Sequence, residues 1–168
     1  MSLAHPDAER IAQQYLSSLN AEIVARCGYG KEGVVFKSSR GTAVKVHSSS
    51  ITFQNEYLAY RRLAETRTQV VLGFRVPRPI QANAGLKIIE MGIVEPPYLL
   101  DFGTSATDIK PDFSPEVWEE WWGRVQENFE DRFPIAEAVY IHLKRKLNIW
   151  HLDLRPSNLR FVDDEVHL

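Results

Sequence analysis

The chain has few of the features that assign a protein to a compartment or to a charged partner. Its 168 residues include a single cysteine, Cys27, so no disulfide can form within the chain. No apolar run approaches the length that spans a bilayer, and the start, MSLAHPDAER, lacks the basic and apolar regions of a signal peptide. Twenty basic residues against 22 acidic ones give a net charge of −2, without the positive excess that attracts nucleic acid. These absences predict a cytoplasmic protein that binds neither a membrane nor nucleic acid.

The composition that is present is that of an ordinary globular protein. Hydrophobic residues make up 44% of the chain and charged residues 25%, and the length suits one domain or two small lobes that share a cleft. The spacing of apolar residues predicts a helix over residues 5–19 and another over residues 52–65. Between them, alternating segments separated by turn residues predict three strands within residues 21–47. The first half of the chain is therefore expected to be rich in β-structure.

The second half of the chain is predicted to be mainly helical. Ser114 and Pro134 are the expected starts of two helices. Three tryptophans of the first helix belong to an apolar stripe that is expected to pack on the core, and any exposed part of it could mediate a homodimer. We predict an α+β chain with two parts, a β-rich part over residues 1–91 and a helical part over residues 92–168.

A glycine-rich segment, GYGKEG, places Gly28, Gly30 and Gly33 at the spacing G-x-G-x-x-G. Dinucleotide sites share this pattern, but there the glycines open a helix, whereas here a strand and a two-residue turn follow. A glycine-rich hairpin can lay its main-chain N–H groups over phosphates, because no Cβ keeps the anion away. The alternative is a plain tight hairpin without a ligand.

Lys45 and Glu56 are predicted to form an ion pair. Strand alternation places Lys45 on the same face as Ala43 and His47. Glu56 falls within the apolar stripe of the following helix, where a carboxylate needs a cation or hydrogen bonds, and Lys45 is the nearest candidate. The alternatives are a lysine on a solvent-facing strand and a glutamate at the edge of the stripe that reaches water.

The segment HLDLRPSNL contains three polar residues whose chemistry suits phosphoryl transfer. Asp153 can orient and deprotonate an attacking hydroxyl, Arg155 can neutralise charge on the transferred group, and Asn158 can bind Mg²⁺ through its carbonyl oxygen. The alternative is a polar turn after a helix, in which Asp and Asn serve the turn geometry. The order of glycine loop, lysine, glutamate and this segment along the chain favours phosphoryl transfer.

Taken together, these motifs resemble the protein-kinase-like fold, and in particular atypical bacterial branches such as the RIO-like and aminoglycoside-phosphotransferase-like kinases. The segments that carry the resemblance are GYGKEGVVF, AVKV, KIIEM and HLDLRPSN. The resemblance implies an antiparallel β-sheet lobe with one key helix, a reduced and mainly helical second lobe, and ATP and Mg²⁺ as cofactors. Val35 and Ala43 would cover the adenine, and the main chain of Glu90 and Gly92 would form the hinge that binds its edge.

The sequence departs from the family pattern after the catalytic loop, where an Asp-Phe-Gly motif should supply the aspartate that holds the principal Mg²⁺. The chain stops after FVDDEVHL, which resembles the hairpin before that motif and carries Asp163 and Asp164 in its turn. An Asp-Phe-Gly does occur at residues 101–103, but its position before the catalytic loop predicts that Asp101 reaches at best a ribose hydroxyl or a substrate. We expect a natural miniature whose loop and turn residues manage the metal, a kinase relic, or a chain cut short of the motif.

Two functions are compatible with these motifs. The first is a phosphotransferase for a small-molecule or protein hydroxyl, in which Lys45 holds the α- and β-phosphates and Glu56 orients it, while Asp153 is the base, Arg155 steadies the transferring group and Asn158 binds metal. The second is a pseudokinase-like regulatory or scaffolding protein without turnover. The retained residues favour the first function, and the missing metal aspartate favours the second.

Overall fold

The computed structural model describes residues 5–163 as four α-helices and eleven strands, in agreement with the predicted α+β class. In chain order the elements are α1 (His5–Ser17), β1 (Ile23–Gly30), β2 (Gly33–Ser38), β3 (Thr42–His47), α2 (Ser50–Glu65), β4 (Val70–Val71), β5 (Phe74–Arg75), β6 (Pro79–Asn83), β7 (Ile88–Gly92), β8 (Tyr98–Leu99), β9 (Ala106–Thr107), α3 (Pro115–Phe129), α4 (Phe133–His142), β10 (Ile149–Trp150) and β11 (Leu159–Arg160). Within these residues, no helix has the length and apolarity needed to cross a membrane.

A five-stranded antiparallel sheet forms the centre of the first half, with the order β1-β2-β3-β7-β6. The strand β3, which carries Lys45, lies in the middle of this sheet between β2 and β7. Its side chains alternate between two buried environments, so that Val44 and Val46 face one helix while Lys45 and His47 face another. The central strand therefore connects the two helices of the first half.

The helix α1 packs on the Val44 face of the sheet. Residues three and four apart along the helix are buried there, and they are Ala8, Ala12, Tyr15 and Leu16. The hydroxyl of Tyr15 donates to Oε2 of Glu90 at 2.7 Å, and the hydroxyl of Thr42 donates to Oε1 at 2.7 Å. The buried side chain of Glu90 thus helps to hold α1 on the sheet.

The helix α2 lies on the opposite face, where it contacts β3 and β7. Its start is capped by Ser49, whose hydroxyl accepts from the N–H of Thr52 at 3.1 Å. Near its end, Arg62 donates to the carbonyl oxygen of Leu147 at 2.6 Å and to Oδ2 of Asp108 at 2.7 Å. These contacts fasten α2 to the second half of the chain.

The second half packs α3 and α4 against the same core. Trp121, Val125 and Phe129 recur every four residues on α3 and are buried, as the tryptophan-rich stripe predicts. The apolar stripe of the second predicted helix continues to Leu147, but the α-helix ends at His142 and a π-helical turn follows. The main hydrophobic core takes residues from both α2 and these helices, so it extends across the predicted boundary at residue 91.

Two small sheets join segments that are distant along the chain. One consists of β9 and β10, paired antiparallel. The other has the order β11-β8-β5-β4, in which β8 and β11 are also antiparallel. Both therefore connect the segment before α3 with the segment after α4.

Candidate active site

The glycine loop is the hairpin between β1 and β2, and its turn carries Glu32. Packing requires Gly33, because a Cβ there would collide with the carbonyl oxygen of Val46. A Cβ on Gly28 or Gly30 would meet no atom within 4 Å. Packing therefore does not explain these two glycines, whose main chain can approach a ligand closely.

Lys45 and Glu56 form a buried ion pair beside this loop. The Nζ–Oε2 distance is 2.6 Å, and the two side chains are 6% and 1% exposed. Burial is the largest single effect on both groups, and alone it would lower the pKa of Lys45 and raise that of Glu56. The opposite charges and hydrogen bonds around each group together outweigh burial, so the pKa of Lys45 is raised and that of Glu56 is lowered. Lys45 and Glu56 are thus both charged at neutral pH.

The face of β3 that carries Lys45 also carries Ala43, which lies two residues earlier. Val35 lies opposite Lys45 across the β2–β3 pairing.

His47 is a residue of this site for which the sequence named no partner. It is fully buried, and its Nε2 lies 2.7 Å from the same Oε2 of Glu56 that contacts Lys45. The sequence signal was present, since strand alternation already placed His47 and Lys45 on one face. The sequence did not show that this face lies within hydrogen-bond distance of Glu56.

Asp101 also contacts Lys45, which its early position in the chain did not predict. Its Oδ1 lies 2.8 Å from Nζ of Lys45. Burial is the largest single effect and would raise the pKa of Asp101, but the charge of Lys45 and the hydrogen bonds from Glu32 and Lys45 together hold the pKa well below its usual range. Lys45 therefore joins two ionised carboxylates, from Glu56 and Asp101.

Two strand pairings place Asp101 beside the catalytic loop. The strand β8 precedes Asp101 and pairs with β11, while β9 follows Asp101 and pairs with β10. Between them, the N–H of Leu100 donates to the carbonyl oxygen of Asn158 at 2.8 Å, and the carbonyl oxygen of Leu100 lies 2.9 Å from Nε2 of His151. These pairings and contacts hold Asp101 beside the segment that contains Asp153 and Asn158, whereas most of the hairpin expected in FVDDEVHL lies outside the described residues.

Phe102 and Gly103 extend these contacts to α2. The buried ring of Phe102 lies between Tyr60 and His151, with centroid distances of 5.4 and 4.9 Å. Burial lowers the pKa of His151, so its ring is neutral. The carbonyl oxygen of Gly103 accepts from Nδ2 of Asn55 at 3.1 Å. The segment at residues 101–103 is thus held from both sides.

The carboxyl group of Glu32, at the tip of the glycine loop, covers this cluster. A Cβ on Gly103 would collide with it, and its Oε2 lies 3.9 Å from Nζ of Lys45 without a hydrogen bond. Burial, together with the neighbouring Asp101, raises the pKa of Glu32 to about 9, so the group is protonated at neutral pH. Sequence analysis gave Glu32 no role.

The catalytic loop holds Asp153 through its own side chains. Oδ2 of Asp153 accepts from Nδ2 of Asn158 at 2.8 Å and lies 3.0 Å from a guanidinium nitrogen of Arg155. The indole N–H of Trp121 donates to the carbonyl oxygen of Leu152 at 2.8 Å and fixes the loop on α3. Because the amide nitrogen of Asn158 is used within the loop, its Oδ1 is the atom that can contact a cation.

Asp101, which contacts Lys45, and Asn158, which contacts Asp153, carry oxygens of the kind that Mg²⁺ binds. Within residues 5–163, no group of three or more His, Cys, Asp or Glu side chains is placed to hold a metal ion. Mg²⁺ needs no such group, since it keeps several waters and binds through one or two carboxylates plus substrate phosphates. Asp101 and Asn158 supply oxygens of this kind. Asp163 points elsewhere, because it pairs with Arg132 at 2.7 Å and its side chain is 72% exposed, and Asp164 lies outside the described residues.

The main chain of Glu90 and Gly92, which was expected to form the hinge, takes part in hydrogen bonds of the sheet and its edge. Glu90 lies within β7, whose two neighbours β3 and β6 enclose its main chain. The N–H of Gly92 donates to the carbonyl oxygen of Arg78 at 2.9 Å. Ile93 and Val94 come after the end of β7 and are the nearest residues whose main chain lies outside the sheet.

No protein-family profile and no curated protein matches the chain. Among solved structures, it is similar to the one described as "Structure of the streptomycin-ATP-APH(2")-IIa ternary complex", at 12% sequence identity and a TM-score of 0.41. The alignment covers 82% of this chain and 40% of that chain, so this chain spans less than half the length of its structural neighbour. At this level of similarity, a function has to be argued from the site itself.

Proposed function

We propose that the chain is an ATP-dependent phosphotransferase of the kinase-like type, in which the metal-binding aspartate, Asp101, precedes the catalytic loop along the chain. The observation that carries the proposal is the contact of Lys45 with both Glu56 and Asp101, at 2.6 and 2.8 Å. In kinases, a lysine of this kind binds the phosphates and a glutamate orients that lysine, while an aspartate next to a Phe-Gly pair holds the metal. The order of the segments differs here, but Lys45 is in contact with both Glu56 and Asp101.

Each residue of the site has a role that its surroundings support. Lys45 would bind the phosphates of ATP, while Glu56 would keep its ammonium in place. Asp101 and Oδ1 of Asn158 would hold Mg²⁺, which, when bound, neutralises charge on the phosphates. Since Oδ2 of Asp153 is occupied by Asn158 and Arg155, its Oδ1 would accept the proton of the attacking hydroxyl.

The remaining groups suit the nucleotide and the transferred phosphoryl group. Val35 and Ala43 offer a small apolar surface on the Lys45 face for the adenine, and Ile93 and Val94 offer main-chain groups for its edge. The side chain of Arg155 is 52% exposed, so its guanidinium can turn from Asp153 toward the phosphoryl group. The acceptor is the hydroxyl group of a small molecule or a protein.

The test compares nucleotide binding with and without Mg²⁺ in the wild type and in Asp101→Asn. Binding raises the free energy of unfolding by about 2.7 kcal/mol at a hundredfold excess over Kd, which is measurable as a rise in melting temperature. We expect ATP to stabilise the wild type more strongly with Mg²⁺, and Asp101→Asn to lose the Mg²⁺-dependent part. Asp112→Asn removes an exposed carboxylate eleven residues later along the chain and is the matched control. The proposal fails if millimolar ATP stabilises no variant, or if Asp101→Asn and Asp112→Asn respond equally to Mg²⁺.

A regulatory protein without turnover is the second candidate, and the position of Glu32 favours it. Its carboxyl group covers Lys45 and Asp101, where phosphates and metal would have to bind. A protein of this kind would bind ATP without needing Mg²⁺, or would bind none, and would transfer no phosphate. Measuring the release and transfer of labelled phosphate from ATP therefore separates the two candidates.

A further inference from the structure

His47 occupies a closed position at the end of β3. The residue is 0% exposed, it lies opposite Gly33 in the β2–β3 pairing, and its main-chain N–H donates to the carbonyl oxygen of Lys87 at 2.9 Å. The ring of Phe53 on α2 covers it edge-on, with centroids 5.6 Å apart. An imidazole buried in this way is stable only if its ring nitrogens find partners.

Both ring nitrogens of His47 face oxygen atoms that can only accept a hydrogen bond. Nε2 lies 2.7 Å from Oε2 of Glu56, and Nδ1 lies 3.0 Å from the carbonyl oxygen of Lys87. A neutral imidazole carries one N–H, so it would leave two acceptors facing each other, whereas a ring with hydrogen on both nitrogens donates to both. The charge of Lys45 keeps Glu56 ionised, so the carboxyl group is not the missing donor. The contacts therefore favour a ring that carries hydrogen on both nitrogens.

A cationic His47 balances the charges of the site. Two cations, Lys45 and His47, then face two carboxylates, Glu56 and Asp101, and both cations contact the same Oε2 of Glu56. Lys45 alone would have to neutralise both carboxylates. The second cation leaves the ammonium of Lys45 available for an additional anion.

We propose that His47 is a positioning residue, whose cationic ring holds Glu56 in place while Lys45 exchanges Asp101 for the phosphates of ATP. This inference rests on the proposed function. Glu56 is a carboxylate with 1% exposure, and a buried carboxylate that loses its cation is strongly destabilised. His47 keeps a cation beside Glu56, because the contact between His47 and Glu56 does not involve the ammonium of Lys45, which is the group that moves. It thereby keeps α2 in place on β3 while Lys45 exchanges its partner.

The first experiment measures the protonation of the His47 ring by NMR of its nitrogens in the protein without nucleotide. We expect both nitrogens to carry hydrogen at neutral pH, and only one of them to do so in Glu56→Gln. A wild-type ring with a single protonated nitrogen would overturn the inference. The result does not depend on ATP binding, so it stays interpretable if the proposed function fails.

The second experiment compares phosphate transfer by His47→Met and His47→Gln. Methionine removes both donors, whereas the amide nitrogen of glutamine can replace Nε2. A misplaced catalytic group costs about a hundredfold in rate, so we expect kcat of His47→Met to fall by about tenfold to a hundredfold with a smaller change in KM for ATP, and glutamine to restore part of it. Val44→Ala removes buried volume from the other face of the same strand and is the control for lost stability.

The outcome that contradicts a positioning role is equal kcat in His47→Met and Val44→Ala at similar losses of stability. If His47→Met does not fold, His47→Gln takes its place in this comparison. A glutamine variant with the kcat and KM of the wild type, together with a neutral ring in the NMR experiment, would reduce His47 to a packing residue.

Discussion

Replacing Lys45 by methionine tests the central feature of the site, the buried lysine between two carboxylates. The side chain is 6% exposed and contacts Glu56 at 2.6 Å and Asp101 at 2.8 Å. Methionine keeps the apolar length of the side chain and removes its charge. The change leaves Asp101 without its cation and leaves Glu56 with His47 alone.

The expected loss is large in relation to the stability of a domain. Removing one partner of a buried ion pair costs about 3–5 kcal/mol, whereas the total free energy of unfolding of a domain is about 5–15 kcal/mol. The double variant Lys45→Met/Glu56→Gln should be less destabilised than the sum of the single variants, by about 0.5–3 kcal/mol, because residues in contact are coupled. Lys37→Met, an exposed lysine on the neighbouring strand β2, should stay within about 0.5 kcal/mol of the wild type.

The sign of the pH dependence should differ between the wild type and Lys45→Met. In the wild type, Lys45 lowers the pKa values of Glu56 and Asp101, so their contribution to stability is complete above the usual carboxyl range and is lost as the pH falls through the lowered values. Without Lys45, Glu56 keeps its contact with His47, but burial raises the pKa of Asp101, so the folded state binds more protons than the unfolded chain. The variant should therefore gain stability as the pH falls from 7 to about 5.

The assay is urea unfolding followed by the fluorescence of the four tryptophans, extrapolated linearly to water at several pH values. The reasoning is refuted if Lys45→Met loses less than about 1 kcal/mol, a loss that ordinary substitutions also produce. Equal pH slopes for the variant and the wild type would refute the electrostatic part of it separately.

Two further predictions concern the glycine loop. The folded pKa of Glu32 is about 9 against an ordinary value of 4.5, so the folded state keeps a proton that the unfolded chain loses, and the free energy of unfolding should fall as the pH rises between these values. Glu32→Gln should reduce this pH dependence in melting curves recorded with a chelator present. Equal pH dependence in the variant and the wild type would contradict the argument that burial and Asp101 raise the pKa of Glu32. Gly33→Ala should lose about 1–3 kcal/mol, because its Cβ meets the carbonyl oxygen of Val46. Gly30→Ala has open space around its Cβ and should lose clearly less, so equal losses in thermal denaturation would contradict the packing argument.

Features that depend on neighbours along the chain could be predicted from the sequence. Apolar spacing located α2 and placed Glu56 on its buried side, and alternation placed Lys45 on the face that meets it. The serine cap at residue 114 and the hairpin at the glycine loop also follow from local geometry. These features were predictable because helical and strand periodicity, caps and turns involve residues only a few positions apart.

The position of Asp101 could not be predicted in this way. Chain order separated it from the catalytic loop, yet the antiparallel pairing of Leu99 with Leu159 joins the two segments across sixty residues. The roles of His47 and Glu32 were missed for a related reason, since each depends on a partner brought within reach by the packing of α2 or of residues 101–103 on the sheet.

By itself, the sequence determined which segments become helices and strands, and which charged side chains must enter the interior. Only the tertiary structure decided which of those charges meet, because strand pairing between distant segments and the removal of water set both the distances and the pKa values. A carboxylate such as Asp101 carries no local mark of its partner. Its ion pair with Lys45 depends on the pairing of β8 with β11 and of β9 with β10, which fixes the segment that carries Asp101.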